Sequence, residues 1–313
     1  MAVPVTVENF VRAETDRMFS VLQAQTGAVN RLKHNRAPTP IEDQPVIRMN
    51  RDTLYSSAIV DISEGATVTL PDGGDRYISV MVVDQDHYIN RILHDAGEYA
   101  LTVEEFDTPW VAVAARILVD PADENDLATV NALQDQLSVL AKSSRPFELP
   151  DYDKGSFDAT RSAVLELAKH LGGFDHAFGS KQEVDPVRHL IATAAGWGGL
   201  PDREARYMSV EPGLPAGEYE LTVRDVPVDG FWSISLYNAN GFFQANDHDA
   251  YSVNNITATP NDDGSVTVRF GGCGSGRPNC LPIMDGWNYT IRLYRPRPEV
   301  LDGSWTFPAL EPA

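Results

Sequence analysis

The chain is poor in cysteine, in basic charge and in long apolar runs, and each scarcity excludes something. Two cysteines stand in 313 residues, too few for the four-thiolate or mixed Cys/His sets that announce structural zinc. Lys and Arg total 25 against 45 Asp and Glu, a formal net charge of -20. A surface of that sign does not displace counterions from phosphates, so a nucleic acid or an anionic membrane is excluded as partner. No run approaches the ~18 apolar residues of a membrane span. The first ten residues lack a basic stretch followed by an apolar one, so they do not read as a secretory leader. A cytoplasmic location is therefore expected, with the periplasm or the exterior left open if a leader has been removed. The strong enzyme motifs are missing too: no P-loop, no dinucleotide fingerprint (Gly271-Gly-Cys-Gly-Ser-Gly has Arg277 where the last glycine belongs), no G-x-S-x-G and no H-E-x-x-H. Cys273 and Cys280 flank a Gly-rich turn. Two reduced thiols are the expectation there; a small disulfide loop would need an oxidising compartment.

What is present is a β–α–β grammar. Residues 6–32 read as a helix, with Val11, Met18, Leu22, Val29 and Leu32 on one face and Thr6 as its cap. The Pro-punctuated stretch around Arg36-Ala-Pro-Thr-Pro reads as a connector. From about Val46 to residue 120 short alternating runs, Tyr77–Val83, Gly97–Val103 and Trp110–Leu118, read as strands of an antiparallel sandwich. From Pro121 to 208 the period is helical. One stripe runs from Leu127 through Leu137 and Leu140 and stops near Arg145-Pro146. A second helix runs from Asp158 to Gly172. A third is capped by Asp185, opened by Pro186 and ended by Gly196, with Val187, Leu190, Ile191 and Ala194 inward. Residues 209–313 alternate again, and the tail after Arg295 reads as extended. The expected domains are thus a leading helix (1–35), a β-sandwich (36–120), a small helical domain (121–208) and a second β-sandwich (209–313).

Two strings recur. Ala96-Gly-Glu-Tyr-Ala-Leu-Thr-Val returns as Ala216-Gly-Glu-Tyr-Glu-Leu-Thr-Val, and Ile78–Tyr88 aligns with Trp232–Phe242, so that Asp84 faces Asn238 and Tyr88 faces Phe242. The two strings come in opposite order in the two halves. That speaks against simple duplication and for a shared strand-and-turn vocabulary.

Five groups carry candidate chemistry. In Asn50-Arg51-Asp52-Thr53-Leu54-Tyr55 an extended chain puts Arg51 and Tyr55 on one face and Asn50 and Asp52 on the other. Arg51 suits a bidentate anion clamp, and Asp52 and Tyr55 suit proton transfer. Asp84-Gln85-Asp86-His87-Tyr88, with His94 beyond it, offers a carboxylate and imidazole for general base chemistry, Asp86 with His87. A divalent metal at His87 and His94 is a minor alternative, and otherwise no cofactor is expected. Tyr237, Asn238, Asn254 and their neighbours Phe242, Phe243, Asn246, Tyr251 and Asn255 form an amide-and-aromatic set suited to a neutral polar ligand. Trp197 among glycines plugs a junction or caps a pocket. Arg292 and Tyr294 alternate with Ile291 and Leu293 and either line a cavity or face water. For each group the bland alternative is a turn, a strand entry or a satisfied core.

Asn50-Arg-Asp-Thr-Leu-Tyr-Ser-Ser, the Asp86-His-Tyr segment and the 109–137 stretch resemble the domain of unknown function 1254. Trp232-Ser-Ile-Ser-Leu-Tyr, Asp263-Gly-Ser-Val-Thr-Val-Arg-Phe-Gly-Gly and Gly286-Trp-Asn-Tyr-Thr-Ile-Arg-Leu-Tyr-Arg-Pro resemble its partner, 1214. The resemblance implies an immunoglobulin-like sandwich, a small all-α domain and a C-terminal jelly roll; it transfers no catalytic residue. The functional expectation is an enzyme of hydrolase or lyase type acting on a small polar or anionic molecule at a domain junction. The alternative is a non-catalytic jelly-roll module that binds sugars or builds a homo-oligomer.

Overall fold

The computed structural model describes residues 2–44, 46–274 and 276–313. The fold is mainly β with a helical insert. Its two compact units are both discontinuous in sequence. The first takes the chain up to Arg36, Leu54–Leu118 and Ala128–Asp202; the second takes Ala37–Thr53, Val119–Leu127 and Arg203–Ala313. Contacts thus gather the leading helix, the first strands and the helical stretch into one unit. The connector read around Arg36-Ala-Pro-Thr-Pro belongs, from Ala37 on, with the C-terminal strands.

In the first unit, α1 (Phe10–Thr26), β1 (Lys33–His34), β2 (Thr53–Asp61), β3 (Ala66–Leu70), β4 (Ile78–Val83), β5 (Arg91–Leu93), β6 (Gly97–Leu101), α2 (Val103–Phe106) and β7 (Trp110–Leu118) come first. They are followed by α3 (Glu124–Gln136), β8 (Ser138–Ala141), α4 (Lys154–Ala168) and α5 (Pro186–Ala195). One sheet runs β1-β2-β7-β4-β5 and a second β6-β3-β8. The helices α1, α4 and α5 close around Phe10, Ala13, Phe157, Val164, Ile191 and Ala194. The second unit holds β9 (Ala205–Val210), β10 (Tyr219–Val223), β11 (Trp232–Tyr237), β12 (Ser252–Asn254), β13 (Val266–Phe270), β14 (Cys280–Leu281), β15 (Asn288–Tyr294), α6 (Pro298–Leu301) and β16 (Glu311–Pro312). Its sheets run β12-β11-β15-β9 and β14-β13-β10-β16. Between them Ile234, Leu236, Ile291 and Leu293 from one sheet meet Leu221, Val268 and Phe270 from the other, the alternating inner faces of a sandwich.

Several expected elements shift. Helix α1 covers 10–26 rather than 6–32, because Gly27 takes the left-handed conformation (φ 71°) and returns its N–H to Gln23 O. Its buried face is Phe10, Ala13 and Phe19 together with Glu14 and Asp16, not the Val11–Met18–Leu22 stripe. The two acids are inward because they have partners: Glu14 with Arg17 and Arg161, and Asp16 with Gln85 and the Tyr152 hydroxyl. The stripe through Leu137 and Leu140 is not one helix. Helix α3 stops at Gln136, and the chain enters β8 against β3, leaving Leu140 76% exposed. Helix α4 begins four residues before the expected Asp158, since Asp153 accepts from Ser156 N–H. Asp185, Pro186 and Gly196 bound α5 as read, although Val187 is exposed. The tail is not wholly extended, because α6 adds one turn. Cys273 and Cys280 are not reduced thiols; they are joined as a disulfide with Cα atoms 5.6 Å apart.

The sequence echo is a structural one. Tyr99 and Tyr219 each donate their hydroxyl to the carbonyl four residues back, Asp95 and Pro215. Asp84 Oδ1 accepts from the N–H groups of Asp86 and Tyr88 while its own N–H meets Tyr88 O. Asn238 Oδ1 does the same with Asn240 and Phe242, and its N–H meets Phe242 O. The turn needs an acceptor, and Asn238 supplies it without charge. Asp84 is 3% exposed, and burial pushes its carboxyl up from 3.8 to about 7. Its folded pKa exceeds its unfolded one, so its contribution to stability is present at low pH and is lost as pH rises through about 4 to 7. Asp84→Asn, copying the other turn, is expected to stabilise the protein above pH 7 by about 1–3 kcal/mol and to flatten that slope. Thermal melts between pH 5 and 9 check it; parallel curves for the two proteins would contradict the assignment.

Candidate ligand-binding site

In the sheet β12-β11-β15-β9 alternation sends Trp232, Ile234, Leu236, Tyr289, Ile291 and Leu293 into the sandwich core. The opposite face should meet water, yet it is sealed. Ser233, Ser235, Tyr237, Thr290, Arg292 and Tyr294 are all 4% exposed or less. The cover is the 37–53 segment, which lays Ile41 and Met49 against Tyr237, Phe243 and Tyr251.

Arg292 fastens that cover. One terminal nitrogen donates to Ser235 Oγ (2.7 Å). The other donates to Tyr237 Oη (2.7 Å), Arg48 O (2.8 Å) and Met49 O (3.2 Å). Burial alone would lower its pKa; the phenols of Tyr237 and Tyr294 and the Asp52 carboxylate outweigh burial and hold it above the ordinary value. The Tyr237 hydroxyl donates to Met49 O at 2.6 Å, and burial raises its pKa. Asn50 donates to Tyr294 Oη (2.9 Å) and accepts from Asp52 N–H (2.7 Å), while Tyr294 stacks on Phe231 at 4.1 Å. Asp52, 0% exposed, accepts from Asn254 Nδ2 at 3.0 Å through one oxygen, and the other has no hydrogen-bond partner among the described residues. Asn254 spends its own oxygen on the N–H groups of Ile256 and Thr257. Arg292 and Tyr294 therefore neither face water nor stand in an open pocket. Asn238 spends its side-chain oxygen on its turn.

Arg51, next to Asp52, points the other way. It lines an open cleft of about 370 Å³ with Asp120, His248, Asp249, Tyr251 and the Cys273–Cys280 loop. Its guanidinium lies 5.2 Å over the Tyr251 ring and donates to Thr39 O. Partial burial lowers its pKa, with Asp249 the leading influence in the other direction. Arg277, the second arginine of the cleft, is held by Glu218 at 2.7 Å. Among the described residues Arg51 has no ion pair, and it is the cation of the cleft left to a ligand.

The remaining candidates lie in the first unit, and none of them is among the residues lining this cleft. His87, 0% exposed, accepts the Gly198 N–H at Nε2 (2.9 Å). Its Nδ1 meets Thr193 Oγ1 (2.8 Å), whose hydroxyl donates to His189 O. That fixes a neutral tautomer with the proton on Nδ1. Burial and the neighbouring His189 hold its pKa well below 6.5. The ring is stacked between His189 and Trp197, both at 5.3 Å. Neither nitrogen is left for a base or a metal, which corrects both roles considered for it. His94 meets Ile78 O at 3.0 Å, and no group of three or more metal-ligating side chains occurs among the described residues. Asp86 is held bidentately by Arg12 at 2.8 and 2.7 Å. Tyr55 lies 5.5 Å under Arg116. Trp197 donates to Thr15 Oγ1 at 3.2 Å and is core on one side. Asp120 and Arg277 are cleft residues the sequence reading passed over. Asp120 belongs to a short excursion that only the tertiary fold returns to this unit. Arg277 could have been noticed as the one charge between the two cysteines.

Asn254→Ala would leave both Asp52 oxygens buried without a partner. The expected loss is about 2–4 kcal/mol of stability, read as a lower urea midpoint with unchanged slope. A loss under about 0.5 kcal/mol, the level of an ordinary surface substitution, would show that Asp52 does not depend on this amide.

Two family models match the chain. The model described as protein of unknown function (DUF1254) covers residues 29–140, and protein of unknown function (DUF1214) covers 211–298. No curated protein matches. Among solved structures, the VPA0106 protein from Vibrio parahaemolyticus is similar with a TM-score of 0.77 at 17% identity, over 98% of this chain and 97% of that one. An uncharacterised protein from Burkholderia cenocepacia is similar with a TM-score of 0.53 at 17% identity, over 96% and 86%. These likenesses establish the architecture.

Proposed function

This chain belongs to the family that pairs domains of unknown function 1254 and 1214, and we propose that its C-terminal unit is a jelly-roll module that binds a small polar molecule through a carboxylate. The reading rests on Arg51. A half-buried guanidinium at the wall of a 370 Å³ cleft, backed by an aromatic ring and free of any ion pair among the described residues, suits an incoming planar anion. The volume is that of an ordinary small-molecule site. Asp120 and Asp249 on the same wall favour a ligand that also carries hydroxyl or ammonium donors, as hydroxy acids and amino acids do. Hydrolysis or lysis of such a molecule has less support, because Asp52 and His87 are both 0% exposed and neither lines the cleft. The disulfide in the cleft wall favours an oxidising compartment, the periplasm or the exterior, over the cytoplasm.

Titration calorimetry with lactate, succinate, glutamate and their neutral amide or alcohol analogues tests the reading. At least one carboxylate is expected to bind and its neutral analogue not to. Arg51→Gln is expected to weaken that binding about 10- to 100-fold, the worth of one charge-assisted contact. Binding that survives Arg51→Gln, or that ignores loss of the carboxylate, would place the ligand elsewhere.

A further inference from the structure

The core of the C-terminal sandwich is not closed along β9. A second cavity, of about 570 Å³, lies between the inner face of β9 and β15 and the chain's own tail. It shares no lining residue with the Arg51 cleft. Its floor is Tyr289 and Ile291, 2% and 3% exposed, continuous with the sandwich core. Met208 and Val210 of the edge strand form one wall, and Trp305 and Phe307 of the tail form the other.

The tail borders this space as a strap held at both ends. Trp305 N–H is bonded to Glu299 O at one end. At the other, β16 pairs with β10 and Ala313 N–H reaches Glu218 O. Between these anchors the strap carries Trp305 and Phe307 edge to face at 5.8 Å, and Pro308 at mid-span has no N–H to give. The space opens to solvent at its rim, has the volume of a small-molecule pocket and is lined mostly by aliphatic and aromatic side chains.

We propose that this apolar pocket is a binding site for a small molecule with an alkyl or aryl body, which enters at the open rim beside Leu214. The occupant is a small molecule rather than a peptide or a second chain. The volume is that of a small-molecule pocket, and residues 305–310 of the tail already take one side of it. Desolvating the hydrocarbon body supplies the affinity, and the strap's aromatic pair supplies the fit.

The test uses the full chain and the probe N-phenyl-1-naphthylamine, which fluoresces in apolar surroundings. Saturable binding of one probe per chain is expected, with quenching of Trp305 emission by energy transfer and displacement by dodecanol. Met208→Trp, which fills the cavity, is expected to weaken probe binding at least tenfold and to leave carboxylate binding at Arg51 unchanged. Leu214→Trp at the 40%-exposed rim is the second variant and is expected to obstruct entry without disturbing the core, should Met208→Trp fail to fold. Trp305→Phe is expected to keep the probe and lose most of the energy transfer. Absence of saturable binding, or binding unaffected by the filling and rim variants, overturns the site.

Discussion

A guanidinium taken out of water is the constraint on which the C-terminal unit depends. Arg292 is tolerable in the interior because acceptors meet it there: a serine hydroxyl, a phenol and two main-chain carbonyls. Two of those acceptors, Arg48 O and Met49 O, belong to a segment far away in sequence. Satisfying the cation therefore requires the 37–53 segment to lie across the sheet. Once it does, strand alternation decides the rest. Asp52 points inward to Asn254, and Arg51 points outward over Tyr251. The half-buried arginine of the cleft is placed by the fully buried one.

The two arginines also show why burial alone does not predict a pKa. Both lose water. Arg292 gains enough oxygen around it that its proton is held more tightly than usual, whereas Arg51 gains less than it loses and moves the other way. A cation that is desolvated but not compensated is the one whose energy improves when an anion arrives. In a chain of net charge -20, such a group stands out against its own surface.

Much of this was legible in the sequence, and the limits have physical reasons. Short-range signals held where one interaction dominates: the Asp185–Pro186 start of α5 and its Gly196 stop, the strands after residue 217, and the opposite facing of Arg51 and Asp52. They failed where a distant partner decides. Glu14 and Asp16 turned inward because arginine, glutamine and tyrosine from elsewhere meet them. Leu140 left the helical stripe because β3 offered it a strand. His87 looked like a base by its neighbours Asp86 and Tyr88, but the groups that fix its tautomer come more than a hundred residues later. The echo between the halves carries down to atomic detail in the matching Asp84 and Asn238 turns. Composition could not reveal that Asp120 joins the cleft, since nothing local marks residues 119–127 as part of the C-terminal unit.

A single strand, β15, illustrates how one period-two pattern yields two chemically opposite spaces. Its residues Tyr289, Ile291 and Leu293 face the sandwich interior, and the first two floor an apolar cavity. Its residues Thr290, Arg292 and Tyr294 face a sealed polar layer that orders the segment bearing Arg51. A one-residue slip of β15 against β11 would exchange the two sets and bury a guanidinium in the apolar core while turning Ile291 toward the polar cover. The register Ser233 to Arg292 and Ile234 to Ile291 is therefore fixed from both faces at once. The strand is held by the incompatibility of its two sides as firmly as by its ladder of hydrogen bonds, and both proposed ligand sites inherit their positions from it.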